Sequence, residues 1–157
     1  MTKVLLSVHV LAAILAVGSI TVAASMFPRY ALQASGGREP DVRAAAIAAL
    51  LHKICRGYAV AGLAVPVFGL ATGAALGVLT DAWLIASLAL TVIAAAVLAL
   101  AVLPGQQRLL ALTQDAPTQD GRRPAATRLT MLTGIFNVLW AIVVILMIVR
   151  PGSTTGA

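Results

Sequence analysis

Four long apolar stretches alternate with short polar ones along the chain. Residues 4–27, 57–80, 82–103 and 129–149 contain no charged side chain except where they meet, at Asp81. Each is 21 to 24 residues long, enough for a helix to cross a bilayer with about 30 Å of hydrocarbon. The second stretch has a different lead-in. From Asp41 to Arg56 the chain is charged but periodic, with Ile47, Leu50, Leu51, Ile54 and Tyr58 on one helical stripe. Asp41 suits an N-cap, and the helix it opens runs on into residues 57–80. Pro66 in mid-span predicts a kink near residues 62–66. The polar glycine-rich turn 34–40 follows Pro28-Arg29, which ends the first span. Pro104-Gly105 ends the third, and residues 104–128 read as a loop. The tail 153–157 reads as disordered. The pattern predicts an all-α polytopic membrane protein, a four-transmembrane-helix bundle with a long kinked second helix. The other three helices pack against that one.

Composition sharpens the class. The chain is 61% apolar and 10% charged, against about 25% charged in ordinary soluble domains. Aromatics make up only 4%, so helix contacts are close and backbone-driven. Gly69, Gly73 and Gly77 recur every fourth residue, Gly62 lies seven before Gly69, and Gly134 extends a small-residue seam in the fourth span with Thr130. Such a seam lets another helix approach closely, either within the subunit or from a protein partner or second copy. One cysteine, Cys55, excludes an intrachain disulfide.

Net charge is +6, distributed about the spans rather than clustered as a nucleic-acid footprint. The connections 28–56 and 104–128 hold nine Lys and Arg residues, and the opposite ends hold Lys3 and Arg150. The positive-inside rule then places both long connections in the cytoplasm and both termini outside. Arg29, Lys53 and Arg56 stand where they meet anionic lipid head groups.

Few residues can carry chemistry. No phosphate loop, His-Glu-x-x-His pattern, carboxylate pair or serine elbow is present, and no acid lies inside a span. His9 is about two turns into the first span; it reads either as a haem or metal ligand, or proton relay, or as a neutral histidine bonded to a neighbouring helix. His52 sits beside Lys53 and Arg56 as an interfacial histidine. Counting about 1.5 Å per residue puts the two on different levels, so one haem between them is disfavoured. Asn137 in mid-span suits an interhelical hydrogen bond. A water-filled path would have to draw on His9, Thr21, Ser25 and Asn137.

The opening VLLSVHVLAAILAVGS, the stretch RGYAVAGLAVPVFGLATG and the ending FNVLWAIVVILMIVRPG together resemble a bacterial family of predicted integral membrane proteins of unknown function (domain-of-unknown-function family 2269). Ala16-Val17-Gly18 stands where relatives carry a Trp-Ile-Gly-like end to the first motif. More distantly the pattern is similar to copper-resistance-type four-helix membrane proteins with intramembrane histidines. The resemblance singles out His9, without assigning a reaction. The alanine- and arginine-rich composition looks like that of a high-GC bacterium, which places the chain in a plasma membrane. Three functions follow as expectations. One is a non-enzymatic subunit of a membrane complex, or a homo-oligomer, using the glycine seam. The second is a haem- or metal-binding redox protein using His9, and the third a small transporter or channel.

Overall fold

The computed structural model describes residues 2–36, 41–115 and 121–152. All secondary structure among them is helical: α1 (Thr2–Gln33), α2 (Val42–Ala61), α3 (Ala64–Leu76), α4 (Ala82–Val97), a π-helical turn (Leu98–Val102), α5 (Leu103–Asp115) and α6 (Arg122–Val149). Together they give four helices long and apolar enough to cross a membrane, Lys3–Gln33, Val42–Leu76, Ala82–Leu112 and Arg122–Val149. The four run alternately up and down. One end of the bundle carries the long connections after α1 and α5. The other carries the N-terminus, the α3–α4 hairpin and Arg150. The tail 153–157 lies outside the described residues.

Two of the three prolines shape these helices differently from the sequence expectation, and at Pro66 and Pro104 the backbone rearranges locally. Pro28 does not end the first span: α1 continues through it to Gln33. The kink expected near Pro66 is present, at Gly62-Leu63. Pro66 has no N–H for the Gly62 carbonyl. The Val65 N–H takes that acceptor at 3.0 Å, while Leu63 N–H turns back to the Val60 carbonyl at 3.1 Å. Pro104 likewise does not end the third span. It cannot donate to the Leu100 carbonyl, and the turn before it widens so that Leu103 N–H reaches Leu98. The helix then continues as α5 over the first part of the expected 104–128 loop, and α6 covers its last part. Asp41 caps α2 as expected, its Oδ1 accepting from Ala44 N–H at 3.0 Å.

Helix α1, rather than the bent α2–α3, is the centre: it packs along α2, α3 and α6, and α4 packs along α6. Its inward face is nearly all alanine, with Ala16, Ala23, Ala24 and Ala31 buried around Ile20 and Phe27. Small side chains let the neighbouring backbones close in where apolar area gives no drive, lipid being as apolar as leucine. The dense core joins Phe27, Ala48, Cys55, Val102, Leu109 and Phe136. It fills the half of the bundle nearest the long connections. No residue of α3, and none of α1 before Ile20, belongs to it. Truncating Phe27, fully buried, to alanine should cost about 3–5 kcal/mol, measured as a lowered unfolding midpoint in mixed detergent–SDS micelles; a loss below about 1 kcal/mol would mean that this core is not packed as described.

Candidate functional site

The sparsely packed half of the bundle holds His9. Its imidazole is buried against α3, with Nδ1 2.9 Å from the Val65 carbonyl oxygen. A carbonyl only accepts, so Nδ1 must carry the proton and donate. In the neutral imidazole that sets the tautomer, leaving Nε2 with a bare lone pair. Room for the ring comes from Gly69. A Cβ there would stand 2.9 Å from His9 Cε1 and 3.3 Å from Nδ1. Histidine and glycine are thus fitted to each other across the α1–α3 contact.

A cavity of about 40 Å³ opens beside the ring, lined also by Leu84, Thr91, Trp140 and Met147. A second, of about 60 Å³, lies along the same seam beside Ala16, Gly62 and Phe136, and shares Val65, Pro66 and Trp140 with the first. Each has room for a water or a small ion; a typical small-molecule site has about 300–1,000 Å³. Among the described residues no three His, Cys, Asp or Glu side chains converge.

His52 sits in a separate polar node in the dense half. Its Nδ1 donates to Gln106 Oε1 at 2.9 Å, and Gln106 Nε2 points at Cys55 Sγ, 3.6 Å away. His52 and Cys55 are three residues apart on one face of α2, and Gln106 reaches them from α5. His52 is therefore bonded to a second helix, not simply set at the interface. Val65, which marks the level of His9, is 13 residues further along the chain. That is roughly 20 Å of helix, so the two histidines stay on different levels.

Asn137 bonds α1, its Oδ1 accepting from Thr21 Oγ1 at 3.0 Å. Ser25 is exposed on the outside, beside Arg29 in a groove between α1 and α6. His9, Thr21, Ser25 and Asn137 therefore line no common cavity among those described. Arg29, Lys53 and Arg56 are all exposed.

The expected glycine seam is divided among different tasks. Gly69 takes the His9 ring, and Gly73 takes Leu84, whose Cδ2 would lie 2.9 Å from an added Cβ. Gly62 faces Ala16. Gly77 belongs to no packing face. With φ 71° it stops α3, its own N–H bonding Ala74 and Val78 N–H bonding Gly73. Gly134 faces open space. Three of the five glycines are thus occupied by contacts inside the chain.

Several functional-looking residues escape sequence reasoning. Gln106 is hidden by the proline before it, although Val102, Gln106 and Leu109 keep a buried helical spacing that could have revealed it. Arg122 is buried where α6 begins; its Nε donates to the Leu112 carbonyl at 3.0 Å and its Nη1 to Ser35 at 3.4 Å. At the opposite end the Trp83 indole donates to Asp81 Oδ2 at 3.0 Å, and the Arg150 guanidinium lies 5.4 Å over its ring. That clasp ties the end of α6 to the α3–α4 hairpin.

These features define a polytopic, all-helical membrane protein of four spans with one tautomer-locked histidine in its sparsely packed half. Residues 3–151 match the model of the family described as "Predicted integral membrane protein (DUF2269)", and the chain belongs to that family. No curated protein and no solved structure matches it.

Two substitutions separate the polar nodes. Gln106→Leu leaves His52 and Cys55 without their partner and should lower stability by about 1–3 kcal/mol, read as an earlier unfolding midpoint in detergent. Gly69→Ala forces the His9 ring out of its slot and should cost about 1–3 kcal/mol as overpacking. An unchanged midpoint for either would contradict the contact assigned to it.

Proposed function

We propose that this protein holds a single soft metal ion, of the monovalent copper class, at His9 in the outer half of a bacterial plasma membrane. The observation that carries the proposal is the bare His9 Nε2, set by the Nδ1 bond to Val65, beside a cavity that Met147 and Trp140 also line. A metal-binding histidine commonly donates its other ring nitrogen to a carbonyl, which orients the ring and raises its basicity. A thioether is a soft ligand, and an indole face attracts a cation. No carboxylate lines the cavity, which disfavours hard divalent ions. The volume of about 40 Å³ suits one ion and favours this reading over a haem. The outer placement follows from the nine-to-two excess of Lys and Arg on the long connections. The reading makes the chain a metal-binding membrane protein without a catalytic acid or base. The complex-subunit reading drew on the glycine seam, and three of its glycines already serve contacts inside the chain.

The test is a competition of detergent-purified protein with a coloured monovalent-copper chelator, together with an absorption spectrum. One equivalent of copper withdrawn by the wild type, at least tenfold weaker retention by His9→Ala, and no Soret band are expected. Failure to withdraw copper, equal retention by His9→Ala, or a Soret band lost in that variant would overturn the proposal.

A further inference from the structure

The π-helical turn and Gly105 together open a groove on the outer face of α5 and α6, at the end of the bundle that bears the long connections. Its volume is about 360 Å³, and Leu100, Ala101, Gly105 and Leu129 are among its lining residues. Gly105 has no side chain to fill it, and α6 comes so close that an added Cβ would lie 2.9 Å from Leu129 Cδ2. Two arginines also line it, Arg108 from α5 and Arg128 from α6. Both are exposed, and neither is paired with an acid among the described residues. Arg108 lies four residues before Leu112, where the apolar span ends. Arg128 lies six residues into α6, roughly 9 Å from its start. The guanidinia therefore stand at head-group depth, while Leu100 carries the groove about 12 Å further toward the hydrocarbon.

We infer that this groove seats one anionic phospholipid, with its phosphate between Arg108 and Arg128 and an acyl chain along Leu100 and Ala101. Two guanidinia give a phosphate paired, charge-assisted hydrogen bonds that an ammonium cannot match in geometry. The charge decides the class of lipid. A phosphatidylcholine phosphate already has its own cation, whereas two arginines without an acidic partner among the described residues match a head group with net negative charge. The apolar lining adds an acyl-chain contact to the electrostatic one, because the methylenes of a bound chain cover leucine and alanine that otherwise face loosely ordered lipid. The site is distinct from Arg29, Lys53 and Arg56, which lie on α1 and α2.

Native mass spectrometry of the full chain, released from detergent with phosphatidylglycerol or phosphatidylcholine added, tests the inference. The wild type should retain one phosphatidylglycerol in preference to phosphatidylcholine. Replacing both arginines (Arg108→Gln with Arg128→Gln) should weaken that retention roughly 30-fold, two basic residues at an anionic surface being removed. Ala101→Trp keeps both charges and fills the groove, and should lose the lipid as well; its unfolding midpoint shows whether it is folded. Replacing Arg43 and Arg123, which are exposed and outside the groove, with glutamine should leave retention unchanged. The inference fails if the double arginine variant retains phosphatidylglycerol like the wild type, or if the two lipids bind equally. It also fails if a folded Ala101→Trp binds normally, since the head group alone would then suffice.

Discussion

In a bilayer every backbone N–H and C=O must find a partner inside the protein, and three prolines, each lacking an N–H, are accommodated in three ways in this chain. Pro28 is carried within an otherwise continuous α1. Pro104 is absorbed by a π turn that keeps the third span going. At Pro66 the helix breaks, α3 restarts on a new course, and the Val65 carbonyl receives a side-chain donor from another helix, His9. The histidine, the break and Gly69 form one unit. The bond gives His9 a tautomer, the glycine gives it space, and the change of direction places α3 against α1. The cavities lie along the same seam, where the bend and the small residues leave space unfilled.

The bundle is thus built in two halves with different physics. Near the long connections, Phe27, Leu109 and Phe136 interlock with an alanine face of α1, and the buried polar groups there mostly have partners on the chain. Thr133 Oγ1, buried beside that core, is an exception among the described residues. Toward the termini the core gives out and two cavities remain, with a clasp of Trp83, Asp81 and Arg150 holding the helix ends together. Packing is thus dense at one end and looser at the other.

The four spans were readable from the lengths of the uncharged runs, and the kink from Pro66, because both follow from local backbone chemistry. Asp41 as a cap and Asn137 as an interhelical link were readable for the same reason. The prolines at 28 and 104 misled, since whether a helix stops or bulges at proline depends on what lies beyond it. Across Pro104 the periodicity of Val102, Gln106 and Leu109 was masked by polar neighbours. The hub passed from α2–α3 to α1 because an alanine stripe is inconspicuous in a chain this rich in alanine. The glycines could be recognised as small but not assigned, since the sequence does not say which faces His9, which faces Leu84 and which merely stops a helix. The acceptor on His9 Nδ1, the Val65 carbonyl, could not be read from the sequence.

Nitrogen NMR of the protein labelled with ¹⁵N-histidine addresses that bond most directly. The His9 ring should show a protonated Nδ1 and an unprotonated Nε2, in slow exchange with bulk water, and addition of monovalent copper should move the Nε2 resonance far more than that of Nδ1. A protonated Nε2, or a ring averaging freely between tautomers, would contradict the bond to Val65 and with it the metal site built on it.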